Sequence, residues 1–361
     1  MDAAAVGATL RRVREARAYD EATAARGAEV AEAALQRFEA GEPALSTAAI
    51  ARLAAFLDVD LDRVLDGCWQ PSVAFKALGT TTDFFDADRL HLERALDIAG
   101  QVAELRWALG LESPLSALSV PADVAGTPYL DGYSRARDVR RVLAFGATEP
   151  ADPMAMLEDR LFVPVVFARL RTQRIAAIAV KDTRSATAAV IVNTSAERSA
   201  NARLLATDLA HELSHVMFDE VGADIAAWFD VSGYDVDGDD DRREQRARAF
   251  AAEVIVPGAG LRELFGAPKE VTDPDRAVEL VRSACEQFQS PSDLTAYHLM
   301  NHGYIDRAVR ARARDGAAAQ IASLPAAPRT SLLSRLVTQA MASGVITAAR
   351  GRALLGRSVW E

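Results

Sequence analysis

LATDLAHELSHVMFDE, residues 205–220, carries two of the chain's five histidines four residues apart, with Glu212 directly after the first of them. On an α-helix four residues turn through about 400°, so His211 and His215 project within about 40° of each other. Both imidazoles can therefore offer a nitrogen to one zinc ion at about 2.0–2.1 Å. Glu212 projects about 100° from His211 and about 60° from His215. It can face the metal's open position without ligating, which is where a base stands to take a proton from water. With Leu205 at zero, Leu209, Leu213 and Val216 fall between about 0 and 80°, whereas Asp208, His211, Glu212 and His215 fall between about 240 and 340°. The apolar stripe is expected to pack on a core and the polar stripe to face a cleft. Ala206, Ala210 and Ser214 form a third, small-residue face suited to close packing. Three ionisable groups on one half-buried face are costly unless they share a partner, which favours a metal.

A catalytic zinc takes three protein ligands and keeps one position open. The spacing leaves the third ligand undecided. His298 and His302 are again four apart, but no acid accompanies them in sequence. Glu244 and Glu253 both lie on the next expected helix, EQRARAFAAEVIVP, on different faces.

Around this stretch the pattern is mixed. SRARDVRRVLAFG reads as a helix, and MLEDRLFVPVVFARL, RIAAIAVKD and TAAVIVNTS read as three short strands rich in Val and Ile. The last could be a plain core strand or, as an edge strand beside the cleft, could pair with an extended peptide. VGADIAAWFDVSGYDVDGDDD reads as a loop or short elements. Its Asp235–Asp241 cluster lacks EF-hand spacing and reads as a solvated loop. Residues 274–303 and the tail, RTSLLSRLVTQAMASGVITAARGRALLG, are expected to be helical.

Upstream, residues 7–67 read as short helices, with Ser46 an N-cap and Ile50, Leu53, Leu57 and Leu61 an apolar stripe. The words LRRVREAR, RFEAGE and LSTAAIARLAAFLDVDLDRVL resemble the XRE helix-turn-helix family in order and spacing. The resemblance implies a DNA-reading helix near Ala28 to Gln36. That helix offers Ala28, Glu29, Ala31, Glu32, Ala33 and Ala34, where base edges call for Arg, Lys, Asn, Gln or Ser. Residues 7–67 hold eight arginines against eleven acidic residues, a net −3, which opposes phosphate binding. Arg11, Arg12 and Arg37 remain candidate phosphate contacts, and a dimerisation or partner-docking module is the alternative. Residues 69–130 read as a helical connector, with His91 a surface or core residue. SVPADVAGTPYLDGY, residues 119–133, is the best boundary between domains.

Composition sets outer bounds. The 361 residues suffice for two or three domains. The net charge of −10 gives no overall attraction to nucleic acid or anionic membranes. Two cysteines, Cys68 and Cys285, fit a reducing cytoplasm rather than a disulfide framework. The N-terminus has no signal-peptide pattern, and no apolar run reaches membrane-spanning length.

The words MLEDRLFVPV, AAVIVNTS, LATDLAHELSHVMFD, EQRARAFAAEVIVP and SPSDLTAYHLMNHGYI resemble, in the expected order, the gluzincin-like ImmA/IrrE metallopeptidase family. The resemblance implies Zn2+ held by His211, His215 and Glu244, with Glu212 the catalytic base and Glu253 a buried or supporting carboxylate. Asp219 stands where many relatives have a further histidine. The expected class is α+β. It comprises an all-α helix-turn-helix domain (1–68), a helical connector (69–130), a zincin-like domain with a small sheet (131–305) and a helical C-terminal region (306–361). The resemblance implies an intracellular peptidase that cleaves one regulatory protein, such as a repressor, in a stress response or mobile-element control. The alternative is a DNA-binding regulator, possible as a homodimer on its operator, whose peptidase-like domain senses a metal or ligand without hydrolysis.

Overall fold

A computed structural model describes residues 3–16, 19–57, 61, 65, 73–75, 88–115, 127–182, 186–219, 225–231, 242–326 and 330–356. The chain divides into two compact units, Met1–Ser72 with Phe84–Arg94, and Val73–Asp83 with Ala95–Glu361.

The first unit holds helices α1 (Ala3–Ala16), α2 (Glu21–Gly27), α3 (Glu32–Glu39) and α4 (Thr47–Phe56). Polar side chains start two of them. Asp20 accepts a hydrogen bond from the Thr23 amide at 2.6 Å, and Ser46 accepts one from the Ala49 amide at 3.3 Å. Leu35 and Phe38 of α3 are buried among Val6, Leu10, Val13, Ala24, Ala25, Ile50, Leu53 and Leu57. Arg14 and Glu39 form a bidentate pair at 2.7 and 2.6 Å inside this small core. Removing either partner would strand a buried charge, at a cost of about 3–5 kcal/mol.

The helix expected to read DNA starts later than the sequence indicates. Ala28 is buried, and Glu29 adopts a left-handed turn at φ 55°, so the Gly27–Val30 segment is the turn and α3 begins at Glu32. The solvent face of α3 is thereby shifted to Glu32, Ala33, Gln36 and Arg37.

The second unit is built on a mixed sheet, formed by β1 (Val73–Phe75), β2 (Val165–Ala168), β3 (Ile175–Asp182), β4 (Thr187–Asn193) and β5 (Ile225–Val231). Its helices are α5 (Arg89–Ala108, of which residues 89–94 belong to the first unit), α6 (Pro128–Val142), α7 (Ala202–Phe218), α8 (Arg242–Ile255), α9 (Gly258–Phe265), α10 (Pro274–Phe288), α11 (Ser292–Asn301), α12 (Arg310–Ala318), α13 (Leu332–Ala342) and α14 (Ala348–Gly356). A short turn at Pro153–Ala155 widens into a π-type turn at Met156–Arg160 before β2.

The strand order is β1-β5-β3-β4-β2, with parallel pairing at both ends and antiparallel pairing at the centre. Three outcomes bear on the sequence reading. TAAVIVN is an interior strand, paired on both sides, which matches the core-strand alternative and leaves no free edge to offer a peptide. IAAWFDV, in the stretch read as a loop or short elements, is β5, and VAF in the stretch read as connector is β1; strands this short leave little periodicity to detect. PYLDGY, read as boundary, opens α6, where a proline in the first turn is compatible with helix. Asp235–Asp241 lie outside the described residues.

Every residue of β4 is buried, and Ala177, Ala179, Val190 and Val192 share one core with Leu205, Leu209, Leu213 and Val216 of α7. Each fully buried Leu or Val contributes roughly 1.5–3 kcal/mol. Asn201 caps the start of α7, and Lys181 of β3 donates to the Val216 carbonyl at 3.0 Å near its end. Burial lowers the Lys181 ammonium from its usual range.

Helices α6 and α8 pack closely. A β-carbon on Gly132 would lie 2.5 Å from the Arg246 carbonyl oxygen and 2.9 Å from the Ala249 β-carbon, so only glycine permits this approach. The tail is also integrated. Leu332, Leu333, Leu336 and Val337 of α13 pack with Val102 and Leu105 of α5 and Leu354 of α14. Arg335 pairs with Glu158 at 2.9 Å and with Asp159. Among the described residues no helix is long and apolar enough to cross a membrane.

Candidate metal centre

From Asp208 to Phe218 every residue of α7 is buried, including His211, Glu212 and His215. The expected polar face therefore does not open on a cleft. Helix α8 lies against it and contributes Glu244 from its first turn, itself only 7% exposed.

The three side chains meet at tetrahedral spacing. His211 Nε2 and His215 Nε2 lie 3.0 Å apart, and each lies 3.2 Å from a different oxygen of Glu244. Ligands at about 2.0–2.1 Å from a tetrahedral zinc are separated by about 3.3–3.4 Å, so the three groups are spaced as one shared ion would need. Neither oxygen of Glu244 makes a hydrogen bond of acceptable geometry despite its burial. Burial alone would raise this carboxyl, but His211 and His215 beside it hold it well below the usual carboxylate range. The donor set of two imidazoles and one carboxylate suits zinc.

Behind the ligands, Asp219 closes the helix and accepts a hydrogen bond from His215 Nδ1 at 2.7 Å; its other oxygen pairs with Arg246 of α8. That contact places the proton on Nδ1 and leaves Nε2 in the form that can ligate a metal. Asp219, which stands where many members of the resembled family have a histidine, thus orients one of the candidate ligands itself. The four-residue spacing of His215 and Asp219 is the sequence signal for this contact, whereas the pairing of Asp219 with Arg246 of α8 arises only in the fold. Trp228 of β5 stacks on the His215 ring, with centroids 6.0 Å apart and planes 7° from parallel. Glu212 is 1% exposed and, by helix geometry, about 60° round from His215. Arg198 holds Asp208, one turn earlier, at 2.7 and 3.2 Å.

Two other histidines also converge. His298 and His302 do have an acid between them: Glu253 of α8 lies 3.2 Å from His298 Nε2 and 3.3 Å from His302 Nε2. The partner was invisible in sequence because it is 45 residues upstream of His298, on the far face of α8 from Glu244. Among the described residues, His211/His215/Glu244 and Glu253/His298/His302 are the two groups able to hold a metal, and His91 belongs to neither.

No curated protein and no solved structure matches the chain. Residues 5–66 match a family model described as a helix-turn-helix domain. The helical N-terminal unit is therefore a helix-turn-helix domain, a type of module used by DNA-binding regulators.

Proposed function

We propose that the chain is an intracellular zinc-dependent peptide hydrolase of the ImmA/IrrE type, with a zincin-like catalytic unit, joined to a helix-turn-helix module and directed at one regulatory protein. The observation that supports it is the spacing of the three donors, His211, His215 and Glu244, at 3.0 to 3.2 Å around one point. Zinc held there would lower the pKa of a water towards neutrality and polarise the substrate carbonyl.

The remaining steps belong to the chain's own residues. Glu212 accepts the proton of the attacking water as its oxygen bonds to the carbonyl carbon. It then delivers that proton to the leaving nitrogen as the C–N bond breaks. Asp219 keeps His215 in the ligating tautomer, and Trp228 fixes the ring plane.

Glu212→Gln tests this reading. The variant should bind about one zinc at the His211/His215/Glu244 site, as the wild type does, while cleavage of a neighbouring regulator falls by about 10²–10⁴-fold. Equal cleavage by both proteins would remove Glu212 from the reaction.

A second reading has its own support. The ligands are nearly buried, and the attached module is a helix-turn-helix domain, which suits a regulator that senses metal and binds an operator. It requires that metal loading change operator affinity and that Glu212→Gln regulate as the wild type does.

A further inference from the structure

Helix α8 carries two glutamates nine residues apart. Nine residues turn the helix through about 900°, so Glu244 and Glu253 point to opposite sides, about 13–14 Å apart along the axis. Glu244 serves the centre described above. Glu253 is 1% exposed on a face where the mechanism has no role for a carboxylate.

Local structure brings two imidazoles to it. His298 occupies the last turn of α11, and His302 is that helix's C-cap. Gly303 follows at φ 73°, with its amide bonded to the Met300 carbonyl and the Tyr304 amide bonded to the Leu299 carbonyl. This pattern ends the helix abruptly and holds His302 one turn beyond His298. Both Nε2 atoms approach the same oxygen, Glu253 Oε2, at 3.2 and 3.3 Å. The other oxygen, Oε1, accepts a hydrogen bond from the Gly258 amide at 3.2 Å, which fixes the carboxylate plane. Gly258 itself is required here, because a β-carbon would come within 2.5 Å of the His302 ring. Tyr133 of α6 packs on both imidazoles, at centroid distances of 5.1 and 5.6 Å.

Hydrogen bonding alone explains this cluster poorly. The His298 side chain is fully buried, and although Glu253 and the Val256 backbone carbonyl lie beside its ring, neither contact has full hydrogen-bond geometry. A buried polar group without such a bond is costly. The separations instead resemble those of the first centre and the edge of a tetrahedral shell, about 3.3–3.4 Å.

We propose that Glu253, His298 and His302 form a second metal site, for a first-row divalent ion of the zinc class, that clamps the end of α11 to the end of α8. The side of His302 open to solvent, where the ring is 17% exposed, is where water completes the shell. The site has no base corresponding to Glu212, so its role is to hold two helices together rather than to hydrolyse.

Full-length protein is stripped with a chelator, reloaded with Zn2+ and dialysed, and its metal content is measured. The wild type should hold two ions per chain, His211→Ala one, His298→Ala one, and the double variant none. His302→Asn, which keeps a residue suited to a helix C-cap, provides a second route should His298→Ala fail to fold. In His211→Ala reloaded with Co2+, the visible bands of a tetrahedral ion should appear and should be lost on adding His302→Asn. The proposal is overturned if His211→Ala retains no metal, or if His298→Ala and His302→Asn each retain both ions. A single ion lost in His298→Ala but kept in His211→Ala would support this site while rejecting the first, so the two readings fail separately.

Discussion

Asp219→Asn sets the first metal centre against the buried charge behind it. Asp219 satisfies two donors at once, His215 Nδ1 at 2.7 Å and the Arg246 guanidinium, and its side chain and that of Arg246 are 0% and 1% exposed. Burial, and then the charge of Arg135, lowers Arg246 to about 10, so it remains cationic at neutral pH. An asparagine has one acceptor oxygen for these two donors. If that oxygen faces Arg246, the amide NH2 faces Nδ1, the ring proton moves to Nε2, and His215 can no longer ligate. If it faces His215, the guanidinium is left opposite another donor. The expected result is a zinc affinity lowered about 10–100-fold, equivalent to about 1.4–2.7 kcal/mol. The metal-free protein should lose about 3–5 kcal/mol of stability. Zinc affinity is read by competition with a chromophoric chelator, and stability by urea unfolding in excess chelator. Adding Arg246→Met removes the competitor, so the double variant should regain both stability and part of the zinc affinity. Unchanged affinity in Asp219→Asn would show that this carboxylate does not set the His215 tautomer. A double variant no better than the single one would show that Arg246 does not compete for the same oxygen.

Two further outcomes concern the helix-turn-helix domain. Glu29 holds φ 55° in the turn before α3, a conformation that costs an L-residue about 1–2 kcal/mol. Glu29→Gly should therefore raise the thermal stability of this unit by about 1 kcal/mol, and a lower midpoint in calorimetry would count against the turn described. Arg37 lies on the exposed face of α3, and if it neutralises a phosphate, Arg37→Ala should reduce the salt slope of DNA binding by about 1. A slope that does not move would place the DNA contact elsewhere or deny it.

What the sequence by itself determined is local. The four-residue spacing of His211 and His215 dictates that both project from one side of a helix, and the Leu205, Leu209, Leu213 and Val216 stripe dictates which side meets the core. The Ser46 cap and the apolar stripe of α4 were legible for the same reason, since caps and helix periodicity act within a few residues. The strand at Ile225–Val231 and the short one at Val73–Phe75 were not, because a strand depends on neighbours hydrogen-bonded from distant segments. Tertiary structure alone decided three points of chemistry. It laid α8 across α7, so that the polar stripe became a buried centre completed by Glu244. It placed Asp219 between His215 and Arg246. It used the opposite face of α8 to bring Glu253 to His298 and His302. Ionisable groups far apart in sequence converge only where packing forces them to share a partner, and that constraint arises from the folded core rather than from any spacing along the chain.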